Sequence, residues 1–130
     1  MDTYESYLQH PAGNVLTFEE ALQIYNDMAA GVSQCCCEYK DEIVQDFLKK
    51  AFSYAAIRAE WGLWTKEERR EKDEYRTIRH NSFIDSLNIL CRLLNKEDIA
   101  TPWREQLGNE RKRIGDFACF TAYIAGLNNR

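Results

Sequence analysis

Three consecutive thiols, Cys35, Cys36 and Cys37, are the densest set of metal-capable side chains in the sequence. Zinc sites need ligands that converge on one point, with about two to four residues between paired cysteines. Neighbouring residues on a helix point about 100° apart. Three in a row therefore cannot meet one ion, and no Cys/His pair stands near to complete a tetrahedral set. We read them as small, semi-buried residues at a helix end or helix junction, with a redox or metal role as the alternative, and assign neither a metal nor a cofactor. Cys91 and Cys119 fall on or beside apolar faces and read as core.

A second constellation is polar. Thr77, Asn81, Asp85, Asn88 and Arg92 recur at helical spacing and form one stripe, flanked by His80. Further on, Arg111, Gly115 and Asp116 lie within the densest apolar run. If the two helices pack antiparallel, Asp85 or His80 faces Arg111 or Asp116. Each such group left unpaired in a core costs about 1–3 kcal/mol, so the first reading is a network that fixes helix register, or a solvated face. The functional reading is a small polar pocket, with His80 and Asp85 or Asp116 as acid–base partners or ligands. Candidate binding residues are accordingly His80, Asn81, Asp85, Asn88, Arg111 and Asp116. Arg76 precedes His80 by only four positions, a shorter spacing than the Arg…His pairs of all-helical ribonucleases. His10, before Pro11, reads as a surface residue. There is no Gly-rich phosphate loop, no His-Glu-x-x-His and no nucleophile elbow, so no catalytic residue is assigned.

Tryptophan supplies the third group. Trp61 and Trp64 fall at a helix end and Trp103 at a helix start. They read as plugs of the core ends or, since Trp joins a large apolar area to one polar handle, as partner contacts. Arg104 and the run Arg111-Lys112-Arg113 are basic, but consecutive side chains splay around a helix and Glu105 and Glu110 dilute them. A solvated face is the better reading, with a weak nucleic-acid contact beside Trp103 as the alternative.

The elements that must position these residues are helical. Tyr4, Tyr7 and Leu8 suggest a short helix ending before His10-Pro11, with a loop through Gly13 and Asn14. Thr17 and Glu20 form a capping box ahead of a helix whose apolar face is Phe18, Ala21, Leu22, Tyr25, Met28, Ala29 and Val32. A second helix runs from about Glu38 to Trp61, with Ile43, Val44, Phe47, Leu48, Ala51, Phe52, Ala55 and Ala59 inward, joined by Tyr54 and Ile57. Its alanines admit a close neighbour. Thr65 and Glu68 cap a third helix reaching about Asn95. Residues 66–74 carry no apolar face, only charges such as Glu68/Lys72, Arg69/Asp73 and Arg70/Glu74 at i, i+4. The core face resumes with Tyr75, Ile78, Ile84, Leu87, Leu90, Cys91 and Leu94.

Thr101-Pro102 starts the last helix, with Thr as N-cap and Pro at the first helical position. That helix carries Trp103, Leu107, Ile114, Phe117, Ala118, Thr121, Ile124 and Ala125 inward, with Gly108-Asn109 as a candidate break, Asn109 recapping a second half, and Gly126 as a C-cap glycine. No segment alternates like a strand. The expected fold is all-α, an antiparallel bundle of four main helices plus a short N-terminal helix, in a single domain over residues 1–130.

Composition bounds the role. Hydrophobic residues make up 45% and charged residues 29%, a globular balance that suffices for a core. The net charge of −4 lacks the basic excess of a duplex-binding protein, so nucleic acid is not an expected partner. The stretch Ile114–Leu127 is shorter than the ~20 residues of a membrane span. Met1-Asp2-Thr3-Tyr4-Glu5 does not read as a signal peptide, and five cysteines, an odd number, read as free thiols in the cytoplasm.

The run His80-Asn81-Ser82-Phe83-Ile84-Asp85-Ser86-Leu87-Asn88, with Trp103, Leu107 and Arg111-Lys112-Arg113-Ile114-Gly115-Asp116-Phe117-Ala118, resembles a small family of uncharacterised helical proteins from Gram-positive bacteria. The resemblance is best in the C-terminal half. It implies a bacterial cytosolic setting and brings no activity, cofactor or catalytic residue. Sequence alone thus points first to a small helical interaction or regulatory protein that docks a protein partner, a second copy of itself included. The alternatives are a small-molecule or metal-dependent enzyme centred on His80, Asp85 and Asp116, and an RNA or single-stranded DNA binder.

Overall fold

A computed structural model describes residues 15–128, and all regular structure among them is helical. The helices are α1 (Phe18–Gln34), α2 (Lys40–Trp61), α3 (Lys66–Lys96), α4 (Pro102–Leu107) and α5 (Arg111–Asn128). The expected helix through Tyr4, Tyr7 and Leu8, and with it His10, lies outside the described residues.

Local sequence explains most boundaries. The Thr17 hydroxyl accepts from the Glu20 amide at 3.1 Å, opening α1, while the Glu20 carboxylate is engaged by Arg113 of α5. At α3 the capping box is complete: the Thr65 hydroxyl accepts from the Glu68 amide and the Glu68 carboxylate from the Thr65 amide. Pro102 stands at the start of α4, but the Thr101 hydroxyl makes no cap bond. It donates to Asn95 and receives the Cys91 thiol, because the loop holds it against the end of α3. Gly108 breaks the last helix with φ +77°, a conformation open to glycine without Cβ strain. The new helix starts at Arg111, so Asn109 does not recap it; the Asn109 carbonyl oxygen Oδ1 instead accepts from Arg104. Gly126 lies within α5 rather than ending it.

Helix α5 is the centre of the packing. Every residue from Ile114 to Ala122 is buried, as expected for a helix apolar all round. α2 packs most extensively on α3 and α5, and α1 packs on α5 and α4. Phe83 of α3 joins Phe47 of α2 and Phe117 of α5, with ring centroids 5.4 and 6.4 Å away. Phe18 of α1 meets Phe120 edge-on at 5.7 Å. The close approach expected of the α2 alanines occurs where Ala55 packs with Cys119 and Ala122.

The buried face of α3 differs from the expected one. His80, Phe83, Ser86, Leu87, Leu90 and Leu94 face inward, whereas Tyr75 and Ile78 are exposed. Helices α2 and α5 cover the side of α3 that carries His80 and Phe83; Thr77 and His80 both touch Arg111, the first residue of α5, and Ile78, between them, faces away from that side. On α1, Ile24 is buried and Ala29 exposed, a rotation of the inward face by part of a turn.

Candidate functional site

Where α2, α3 and α5 meet, polar groups enter the core. Asp116 is fully buried. Its Oδ1 receives Arg58 Nη2 of α2 at 2.7 Å, and its Oδ2 accepts from the amides of Val15 and Leu16 at 2.6 and 3.0 Å. One carboxylate thereby joins α5, α2 and the segment entering α1. Charge-assisted hydrogen bonds of this kind offset the cost of removing both ions from water. Gly115 makes the crossing possible. A Cβ there would stand 2.7 Å from Arg58 Nη1 and 3.3 Å from a Tyr54 ring carbon.

His80 is buried beside this pair, with its ring edge-on to Tyr54 at 5.1 Å between centroids. Nε2 lies 3.1 Å from the carbonyl oxygen of Arg111, so the ring donates there and Nε2 carries the proton. Burial, the largest cause, lowers the His80 pKa; the Arg111 carbonyl opposes that and the Arg111 charge adds to it. The imidazole is thus held neutral. Burial likewise raises the Tyr54 pKa, against the nearby Arg58 charge, keeping the phenol protonated. The Cys119 thiol is pushed up to about 11 by burial, so it is an inert core thiol.

Above these groups lies an open cleft of about 280 Å³ lined by Tyr54, Arg58, Arg76, Arg111 and Lys112. Its guanidinium groups are anchored by different means. Asp116 holds Arg58, the Trp61 ring lies under Arg76 at 4.1 Å, and the Thr77 hydroxyl accepts from Arg111 at 3.1 Å. Trp61 in turn packs on Trp64 at 5.8 Å between centroids. The α5 end of the cleft is unusual for a helix start. Residues 111–113 are all basic, and the first turn carries no acid, although the helix dipole favours negative charge there.

The residues expected from sequence separate into distinct places. His80 and Arg111 meet, and Asp116 lies in the core, bound to Arg58. Asp85 and Asn81 are exposed on the solvent side of α3, so Asp85 does not join His80 and Asp116 in one centre. Asn88 accepts from Arg104 Nε at 3.1 Å and ties α4 to α3. Trp61 and Trp64 are half-buried at the end of α2 and in the turn after it, whereas Trp103 is buried in the core. Of the basic cluster, Arg104 donates to Gly108 O and Asn109 Oδ1, and Arg113 to Leu107 O, Gln106 O and Glu20. Cys35 is buried and closes α1, Cys36 is exposed, and Cys37 is half-buried, as expected of a helix junction. Among the described residues no three His, Cys, Asp or Glu side chains group as metal ligands, and no helix is long and apolar enough to cross a membrane.

Sequence reasoning missed Tyr54, Arg58 and Arg76 as parts of one site. The available signal was Arg58, a cation four residues after Tyr54 beside the otherwise apolar inward face of an alanine-rich helix. No family model, curated protein or solved structure matches this chain.

Proposed function

We propose that this is a small helical interaction or regulatory protein of the cytoplasm that docks a negatively charged protein partner on the face where α2, α3 and α5 meet. The observation that carries this reading is the cleft itself. Four cationic side chains line it, with Tyr54 as a neutral donor and the Trp61 ring stacked under one of them, Arg76. Preorganised cations speed encounter with an opposite charge, and half-buried tryptophan supplies contact area at little entropic cost. The five free cysteines fit a reducing compartment.

The alternative enzyme reading needs His80, Asp85 and Asp116 at one point, and the exposure of Asp85 takes support from it. Nucleic-acid stacking on Trp103 loses support from the burial of that ring. Size-exclusion chromatography with light scattering, run with a pull-down at low salt, tests the docking reading. A partner, or a second copy, is expected to be retained by the native chain and released by Lys112→Glu. Near 1 M salt, where the screening length is about 3 Å, it should also be released. A strictly monomeric chain that retains nothing at low salt ends the proposal.

A further inference from the structure

The geometry points to a narrower ligand for this cleft: a phosphate monoester group, bound as its dianion between Arg58, Arg76, Arg111 and Lys112. This rests on the reading of the cleft as a docking face for negative charge. Four cations line the cleft. Among the described residues, the buried Asp116 neutralises Arg58 at 2.7 Å, and the solvated Asp73, 3.7 Å from Arg76, offsets that charge only in part. Among the described residues at least two positive charges, those of Arg111 and Lys112, are left beside Arg76, and a phosphate monoester dianion matches them better than a single carboxylate does. The guanidinium groups also come from three helices: Arg58 from α2, Arg76 from α3 and Arg111 from α5. One planar fork satisfies a planar carboxylate, whereas forks from several directions suit a tetrahedral group with three terminal oxygens.

Size and preorganisation agree with this. A volume of about 280 Å³ lies at the lower edge of the ~300–1,000 Å³ typical of whole small-molecule sites. It takes a compact charged group and leaves the remainder of the ligand outside, near Trp61 and Trp64. Each guanidinium is already held, by Asp116, by the Trp61 ring or by Thr77, so little side-chain freedom is lost on binding. The basic first turn of α5 runs against its own helix dipole, and a bound dianion reverses that conflict.

Amide-resolved NMR of the full chain, titrated with phenyl phosphate and separately with inorganic phosphate at fixed ionic strength, tests the site. Saturable shifts are expected near Tyr54, Arg58, Arg76, Arg111 and Lys112, with acetate at equal ionic strength moving them far less. Arg76→Gln and Lys112→Gln should each weaken binding by about tenfold, the scale of one charge-assisted contact. The exposed Arg92→Gln should leave it unchanged. Lys112 is exposed, so its variant stays folded even if the loss of Arg76 disturbs α3. A phosphoserine peptide binding more tightly than a nucleoside monophosphate supports the site with a protein side chain as the source; the reverse supports it with a small molecule. Phosphate and acetate acting alike, or Lys112→Gln binding phosphate like the native chain, overturns the inference. A glutamate-rich peptide that shifts the same amides while phosphate does not overturns the phosphate assignment alone. If neither acts, the docking reading falls with it.

Discussion

Asp116 and Asp73 are both aspartates beside an arginine, at 2.7 and 3.7 Å, yet their side chains are 0% and 64% exposed. Asp116 reaches across from α5 to α2 and also takes two backbone amides, with its own carboxylate fully buried. Asp73 meets Arg76 one turn along the same helix, in solvent. Charge type is thus a poor guide to energetic weight. A buried ion that ties three chain segments together is costly to disturb, because removal of one group leaves the others desolvated without a counterpart. A solvated pair within one helix exchanges its contact for water at little cost. The first turns of α3 carry many charges, and the core between α2 and α5 carries few, but the few decide how the helices sit.

Removing the centre of the buried group is the strongest way to break this contrast. Asp116→Ala is expected to lose about 3–5 kcal/mol of stability, since Arg58 and the Val15 and Leu16 amides lose their shared acceptor. Urea unfolding measures this, and a loss below about 1 kcal/mol would place Asp116 with the solvated pairs. Gly115→Ala is expected to cost about 1–3 kcal/mol by driving the guanidinium of Arg58 from its carboxylate. In an Arg58→Ala background the same change should cost much less, and additive losses would show that the clash lies elsewhere.

The solvated region has its own point of weight at its start. Thr65→Ala is expected to cost about 1 kcal/mol by removing the cap of α3, read as a lower urea midpoint at unchanged slope. His80 offers a pH test of the buried region. Its folded pKa lies below the ordinary 6.5, so the unfolded chain takes up a proton first as pH falls. Stability from His80 is present above about pH 6.5, declines as pH drops through that value, and levels off below the folded pKa. The melting temperature should fall more between pH 7.5 and 5.5 in the native chain than in His80→Gln, which keeps a donor for Arg111; parallel curves would refute a buried neutral ring. The smallest effect belongs to Arg70→Ala, exposed on α3, expected within about 0.5 kcal/mol of native.

How much could be read beforehand differs from residue to residue. The capping box at Thr65 and Glu68 was legible because its chemistry is complete within four residues. The break at Gly108 was legible because a glycine interrupts an apolar series there. The inward side of α3 was not. Tyr75 and Ile78 are apolar and correctly spaced, but which side of α3 is covered depends on how α2 and α5 sit against it. Arg69 was expected beside Asp73 on α3, yet it donates to the carbonyls of Trp61 and Gly62 at the end of α2, a use fixed by the turn between the helices. Of the polar centre, His80 and Arg111 do meet, but Asp85 points to solvent, and the partner of Asp116 is Arg58, a residue set apart by 58 positions.

By itself, the sequence determined that the described chain is helical, where most helices start and stop, and that α5 is apolar enough to sit at the centre. These follow from propensity, capping and periodicity, which act over a few neighbouring residues. Only the tertiary structure decided which face of α3 turns inward, that Arg58 crosses Gly115 to reach Asp116, and that Tyr54, Arg58, Arg76, Arg111 and Lys112 line one cleft. Those outcomes depend on the relative placement of three helices. A few ångströms separate a paired ion from a solvated one, and no spacing along the chain encodes that distance.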